Sequence, residues 1–536
     1  VIGSLTAVSV FAFVRVLGGT TAGLFAALIF SISLPIFTRG LIGWFKSEPL
    51  GLFFAFLAIY LFASGIKFNH GKISLIKLIV AGLFLSLGVS AWGGILFFIV
   101  PIALFYLFLP FFKNEKNFSI WAAPAFSISF ILFSLMFERS QTFIIGYAGL
   151  ILLFPTIFVV VSEMIKKFSS EKTKIRNCFI FLGSIIGTGL GISSMGLVGL
   201  PSFRYLNAIN PFLVSSDELT DSVAEHMTTD QTLSFSFLSV FLIFGLIGIW
   251  LIFSKNNNLK VDMRIFALIV GILAIYVSSA FVRLELYASV GLLILGSIGL
   301  SILLQKILQQ EKQYFTKIIF PAVIVILFVI PVVLPESGNS WPDWADFAPS
   351  ILTGGSSSHT NASNDWLEAM IWLKENSEPD AVIASWWDYG YWITTLSDRT
   401  TLADNATLND WQIKKIAYTL ITNPENSWHI LSSNYTEDVS EYLGDENVIA
   451  WSGKSYSDWL SEKEIRKDCK PVSATDAKIL DIDQKNCFPV GKGMDADYVV
   501  IFLAGERFYA DGISHPLYTL EGGGDESKKA WFAKIS

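Results

Sequence analysis

Ser385-Trp386-Trp387-Asp388-Tyr389-Gly390 sets two adjacent tryptophans beside a carboxylate in a polar part of the chain. Tryptophan offers a rigid apolar wall with an N–H donor, and aspartate supplies a charged acceptor. Together they suit a pocket for a small hydroxyl or amide group. The plainer alternative is a buried aromatic strand end with an aspartate turn. Three other segments keep charge where a long apolar chain rarely does. Arg39, Lys46 and Glu48 lie in the short stretch from Thr38 to Pro49, at the edge of two apolar runs. Charge there must be paired, wet or functional, with interfacial anchoring as the alternative. Ser222-Val223-Ala224-Glu225 lies in a loop of roughly 30 residues, longer than its neighbours and therefore a functional candidate. Asp217, Glu218, Asp221 and Asp230 share that loop, so a solvated acidic surface also fits. Arg283, followed by Glu285, suits a phosphate ligand, because guanidinium pairs with phosphate in a bidentate manner. A pair with Glu285 or a lipid headgroup contact are the alternatives.

The elements that must position these groups fall into two classes. The chain has 536 residues, of which only 15% are charged, and a mean hydropathy of +0.55. The apolar excess runs from Val1 to Leu334, and from Pro335 the chain turns polar, acidic and Trp-rich. The expected organisation is a membrane domain over 1–334 and a soluble domain over 335–536. A net charge of -7 without a basic tract argues against nucleic acid. The 3 cysteines exclude a disulfide scaffold. Cys469 and Cys487 could pair in an oxidising compartment, and Cys178 opens an apolar run as a packing residue.

Windows of spanning length fall at roughly residues 1–17, 19–38, 49–66, 73–90, 93–112, 118–136, 143–163, 177–197, 234–253, 265–282, 285–305 and 318–334. Alternate connections carry the lysines: Lys67 and Lys72, Lys113 and Lys116, Lys166 to Arg176, Lys255 to Arg264, and Lys306 to Lys317. Positive charge marks the cytoplasmic side. Arg39 to Glu48, the Glu225 loop, Arg283 and the C-terminal domain then all face outward, together.

In the C-terminal part, Asn364 to Leu373 carries an apolar stripe of helical period, capped by Ser363 or Asn364. Ala381 to Ser385 and Tyr498 to Leu503 read as buried strands and Leu408 to Ile421 as a helix, giving an α/β domain. Asp481-Ile482-Asp483 and Asp495-Ala496-Asp497 mimic a sugar-nucleotide motif but sit at a strand edge and a turn. The 5 histidines show no ligand spacing.

Trp-Trp-Asp-Tyr-Gly at 386–390 resembles the signature of the oligosaccharyltransferase catalytic subunit, of the archaeal dolichyl-(di)phosphooligosaccharide type. Thr400 to Thr407 resembles its continuation, Ser222 to Glu225 its outer-loop motif, and Ala91-Trp92-Gly93-Gly94 and Arg283-Leu284 further family segments. Asp525 and Lys528 resemble its second acceptor-site motif. The resemblance runs nearly end to end. It implies a polytopic helical membrane domain of GT-C type, with about twelve of thirteen spans present, followed by an α/β extracytoplasmic domain. It implies transfer of an oligosaccharide en bloc from a dolichol-phosphate-type carrier to the asparagine of Asn-x-Ser/Thr. Glu225 and Glu48 would hold a divalent metal, Mn2+ or Mg2+, and the acceptor amide, with Arg39 beside them. Arg283 would hold the lipid phosphate and Trp386, Trp387 and Asp388 the acceptor hydroxyl, with Lys528 a further acceptor-binding residue. Lipid-linked oligosaccharide, acceptor polypeptides and membrane lipids are the implied partners, for a single subunit in an archaeal membrane, or alternatively the endoplasmic reticulum.

The chain departs from the pattern in three ways. A first outer loop with its aspartate is missing, so the chain reads as an N-terminally truncated fragment, inactive by itself. Lys46 occupies the place of a metal-binding aspartate, and Phe532 that of a Met or Ile. Asn361-Ala362-Ser363, Asn405-Ala406-Thr407 and Asn434-Tyr435-Thr436 are candidate outward glycosylation sites. The competing readings are a non-catalytic sequon-binding paralogue, another lipid-phosphate-sugar glycosyltransferase and a transporter. The aromatic signature disfavours the glycosyltransferase with another acceptor, and the nearly uncharged spans disfavour the transporter.

Overall fold

The computed structural model describes residues 1–40, 47–68, 71–112, 116–195, 206, 210, 229, 231–254, 259–309, 314–333, 349–353, 364–405, 410–421, 427, 431, 494, 496–502, 505–510 and 513–518. The chain divides into two units, with the break between residues 347 and 348.

The first unit is helical. Its elements are α1 (Ile2–Gly18), α2 (Thr20–Ile32), α3 (Leu34–Phe37), α4 (Glu48–Phe68), α5 (Lys72–Ala91), α6 (Ile99–Phe112), α7 (Lys116–Ser134), α8 (Glu138–Ile144), α9 (Tyr147–Phe168) and α10 (Lys174–Ser194). They continue with α11 (Gln231–Leu238), α12 (Phe241–Phe253), α13 (Val261–Ser278), α14 (Glu285–Leu308) and α15 (Tyr314–Val333). Among the described residues, 7 helices are long and apolar enough to cross a membrane, or 8 if the bent pair α2–α3 counts as one span. Four shorter apolar helices accompany them. Each apolar window of the sequence overlaps one of these helices. The bend between α2 and α3, 64°, follows from Pro35, which lacks an N–H and clashes with a continuing helix.

Helix α14 is the hub, buried along most of its length and flanked by α12, α13 and α2. Close approach rests on small residues. A Cβ on Gly248 would lie 2.0 Å from the Leu295 carbonyl, and one on Gly299 2.5 Å from the Gly248 Cα. With lipid outside, van der Waals contact of this kind substitutes for hydrophobic driving force between helices. The phenylalanines fill the rest: Phe62 packs on Phe105, Phe126 and Phe266.

Helix α4 carries Glu48 at one end and Lys67 at the other. Lys67 Nζ donates to the Val16 carbonyl, and Lys260 Nζ donates to the Lys67 carbonyl at 3.3 Å. The C-terminal ends of α1 and α4 and the N-terminal end of α13 thus meet on one face. The opposite ends of α4 and α13, with the start of α14, bring Glu48 and Arg283 together.

The second unit holds α16 (Ser350–Thr353), α17 (Asp365–Asn376), β1 (Val382–Ser385), β2 (Thr400–Thr401), α18 (Asp410–Ile421), β3 (Tyr498–Val500), β4 (Gly505–Ala510) and β5 (Ile513–Tyr518). Strands β2-β1-β3 form a parallel sheet in that order, and β4 pairs antiparallel with β5. Asn364 occupies the N-cap of α17 but makes no side-chain capping bond. Trp366, Met370, Ile383, Trp386 and Ile393 build the core.

Candidate functional site

In the helical unit, Arg283 Nη2 donates to Glu48 Oε1 at 2.5 Å. The residues are 235 positions apart. Arg283 sits on a single 3-10 turn, Val282–Leu284, and Glu48 on the first turn of α4. Glu48 is 1% exposed, while the Arg283 side chain keeps 30%, so the carboxylate is enclosed and the guanidinium reaches water. The second carboxylate oxygen of Glu48 is buried without a hydrogen-bond partner. Pairing with Glu285, one alternative for Arg283, is not what holds it. Glu285 instead accepts a hydrogen bond from the Ser234 hydroxyl of α11, and its other oxygen is also buried and unpartnered.

An aromatic wall supports this end of the helices. Trp92 stacks on Tyr287 with centroids 5.9 Å apart, and the Tyr287 hydroxyl donates to the Gly94 carbonyl. A Cβ on Gly51 would lie 2.9 Å from the Trp92 Cβ, so the first turn of α4 rests against the base of that side chain. Trp92 and Gly94 come from the sequence segment 91–94. Tyr287 and Ser234 were not legible, because nothing local in an apolar run marks which residue faces a distant helix. Arg39 lies on the turn Thr38–Gly40 and is half-buried. Glu225, Lys46 and Lys528 lie outside the described residues. Among those described, no group of three or more His, Cys, Asp or Glu is placed to hold a metal.

In the second unit, the chain leaves β1, the central strand, at its carboxyl end and enters the 3-10 turn Trp387–Tyr389. Strands β2 and β3 flank β1 on opposite sides. The carboxyl edge of a parallel sheet where connections diverge is where open α/β sheets bind ligands. The two tryptophans differ. Trp386 is 2% exposed and belongs to the core, whereas Trp387 and Asp388 are half-buried at the edge. The Trp387 Nε1–H is buried without a hydrogen-bond partner. Tyr389 faces inward, with Trp366 at 4.4 Å and Trp392 at 6.0 Å between centroids. Gly390 is required by space, since a Cβ there would lie 2.5 Å from the Ala403 carbonyl.

Two further residues shape the approach to β2. Buried Arg399 donates to the carbonyls of Lys374, Ser377, Ser397 and Asp398 and to the Ser377 hydroxyl, tying the end of α17 to the chain entering β2. Asp398, before it, adopts a left-handed conformation with φ of 56°, which aspartate tolerates. Of the two Asp-x-Asp segments, 481–483 lies outside the described residues. Asp497 accepts the Val382 N–H at 2.8 Å, a strand-edge role. Lys415 on α18 is 4% exposed, and burial lowers its pKa to about 8.

The chain is 25% identical over 492 residues to the dolichyl-diphosphooligosaccharide–protein glycosyltransferase subunit STT3 of Dictyostelium discoideum, covering 87% of this chain and 67% of that protein. Its fold resembles the archaeal oligosaccharyltransferase AglB of Archaeoglobus fulgidus in complex with an inhibitory peptide and a dolichol-phosphate. The TM-score is 0.58 at 17% identity, over 86% of this chain and 60% of that one. A crystal structure of the Archaeoglobus fulgidus oligosaccharyltransferase in complex with Zn and sulfate gives 0.51 at 18% identity, over 76% and 50%. The chain thus spans two thirds or less of the length of these proteins. Residues 379–475 match the STT3/PglB/AglB core domain. Residues 1–335, well over half of the chain, match the family described as oligosaccharyl transferase STT3, N-terminal, and the chain belongs to that family.

Proposed function

We propose that this integral membrane protein transfers an oligosaccharide from a dolichol-phosphate-type lipid to the asparagine of Asn-x-Ser/Thr in acceptor polypeptides. The observation that carries the acceptor half is the unpartnered Trp387 indole N–H beside Asp388 at the carboxyl edge of the parallel sheet. A donor and a carboxylate acceptor at one place suit a hydroxyl, which both gives and takes a hydrogen bond. An acceptor without that hydroxyl would leave the indole N–H unpaired, and polar sites of this kind discriminate strongly. Trp386 contributes as the wall behind them, and Lys528 joins this site by resemblance.

The donor half rests on Arg283. Transfer forms a bond from the acceptor nitrogen to the anomeric carbon as the carbon–oxygen bond to the lipid phosphate breaks. The phosphate gains charge as it leaves, which a fixed guanidinium stabilises. The amide nitrogen is a poor nucleophile because its lone pair is delocalised into its carbonyl. Glu225 and Glu48 take its N–H groups and the proton it loses, with Arg39 nearby. The fit to a divalent cation, Mn2+ or Mg2+, stands on the orphaned Glu48 oxygen, with Glu225 as the second ligand. When bound, the cation would neutralise the carboxylates and orient them. Arg283 pairs with Glu48 in the protein as it stands, so donor phosphate and cation would each compete for one partner of this pair. Lys46 offers positive charge where the family keeps an aspartate. It also favours a second reading, sequon binding without transfer. A single subunit in an archaeal membrane is the setting proposed.

The test uses the full-length protein with lipid-linked oligosaccharide and a labelled Asn-x-Thr peptide, with Mn2+ or with chelator. Metal-dependent transfer supports the proposal. Transfer that survives chelation assigns the charge to Lys46. Peptide binding without transfer supports the second reading, and absence of both refutes the acceptor site.

A further inference from the structure

Asn405 begins one of the chain's own Asn-x-Thr triplets, yet its side chain is already engaged. Its Nδ2 donates to the Asp388 carbonyl at 3.0 Å, and its Oδ1 accepts the Tyr391 N–H at 3.3 Å. These two backbone groups belong to the turn that presents Trp387 and Asp388. The first N–H groups of a helical turn have no partner within it, and a side-chain oxygen commonly supplies one. Here the cap arrives from 14 residues downstream and holds the carbonyl at 388 as well. A second observation is independent of these bonds. The backbone of 403–404 lies so close that a Cβ on Gly390 would meet the Ala403 carbonyl at 2.5 Å and the Asp404 Cα at 2.6 Å. The segment carrying Asn405 is therefore fitted against the turn.

We propose that Asn405 is a positioning residue for the acceptor pocket, fixing the turn that carries Trp387 and Asp388, and that it is thereby committed to the fold and closed to glycosylation. The inference rests on the reading of that turn as the acceptor site. A glycan on Nδ2 would replace one of its two protons and set a sugar beside the Asp388 carbonyl. Asn405 is exposed, outside the core around Ile383 and Trp386, so its replacement spares the packing of the unit.

The experiment compares full-length wild-type protein with Asn405→Ala and Asn405→Asp in lipid nanodiscs. It reads the KM for an Asn-x-Thr peptide, the KM for lipid-linked oligosaccharide, the melting temperature and the mass of the tryptic peptide containing Asn405. Alanine removes both bonds. Aspartate keeps the acceptor but sets a carboxylate against the Asp388 carbonyl. The expected result is a rise in peptide KM on the order of tenfold for alanine, two modest hydrogen bonds' worth, and a comparable rise for aspartate, which loses one bond and adds repulsion at the other. Donor KM and melting temperature stay unchanged, and Asn405 is unmodified in the wild type. Unchanged peptide KM in both variants overturns the inference. So does a parallel rise in donor KM and fall in melting temperature, which marks a merely structural role, or a glycan on Asn405 with full activity. If the wild type binds no sequon peptide, the acceptor reading itself fails and the inference falls with it.

Discussion

At the scale of single residues, the two sites differ in what their orphaned atoms imply. Trp387 Nε1 is a buried donor with nothing to bind in the free protein, and an unsatisfied donor carries a penalty of about 1–3 kcal/mol. Trp387→Phe removes both the penalty and the contact with an acceptor hydroxyl. The free protein should melt at the same or a slightly higher temperature, while kcat/KM for an Asn-x-Thr peptide falls about 10- to 100-fold. A variant that loses stability and keeps peptide selectivity would mark the indole as plain packing. Arg283 and Glu48 make the complementary case. Removing one partner strands the other, and Glu48 is the enclosed one. Arg283→Ala should destabilise the helical unit by about 3 kcal/mol, the low end for a buried pair because the guanidinium is partly in water. The double variant Arg283→Ala with Glu48→Gln should recover much of that in a denaturation cycle, without recovering donor binding. Sequence reasoning put both residues on the outward side. It assigned them separate ligands and did not foresee that they hold each other, because the contact spans 235 positions.

At the scale of elements, glycine positions decide how closely the helices pack. Gly248 and Gly299 bring α12 and α14 together along a line where any side chain would strike backbone. Gly299→Val should lower the melting temperature in detergent sharply and reduce folded yield. Gly187→Val on α10, where an added Cβ would meet nothing within 4 Å, should leave both unchanged. Equal effects at the two positions would reject close packing as the cause. In the second unit, β1, β3 and the helix over 410–421 were readable from apolar runs and period, whereas β2 and the parallel pairing were not. Arg399 was not. A single arginine in a polar stretch carries no pattern, and its role appears only when the end of α17 comes to lie beside the chain entering β2.

At the scale of the whole molecule, stability couples to pH through Lys415. Its folded-state pKa, about 8, lies below the ordinary lysine value of 10.5 because burial disfavours the charged form. The unfolded chain therefore binds more protons between about pH 8 and 10.5, and unfolding becomes harder as pH rises through that window. Below it the full penalty of burying the ammonium is present. Thermal unfolding of the second unit, followed by tryptophan fluorescence, should shift upward from pH 8 to pH 10, and Lys415→Met should flatten the dependence. A wild-type profile that falls over this range would contradict the burial argument.

The sequence by itself determined the apolar helices, the charge asymmetry of their ends and the segments where chemistry gathers. Each of these depends on local composition or on periods of a few residues. Lysine counting alone separated the Lys67 and Lys260 ends from the Glu48 and Arg283 ends, since an apolar helix of spanning length must put its charges at its termini. Only the tertiary structure decided which neighbour each polar group meets. It sent Trp386 into the core and left Trp387 at the edge, paired Glu48 with Arg283 and Glu285 with Ser234, and closed Asn405 onto the turn at 388–391. These contacts join residues distant in the chain, through packing that local patterns do not encode.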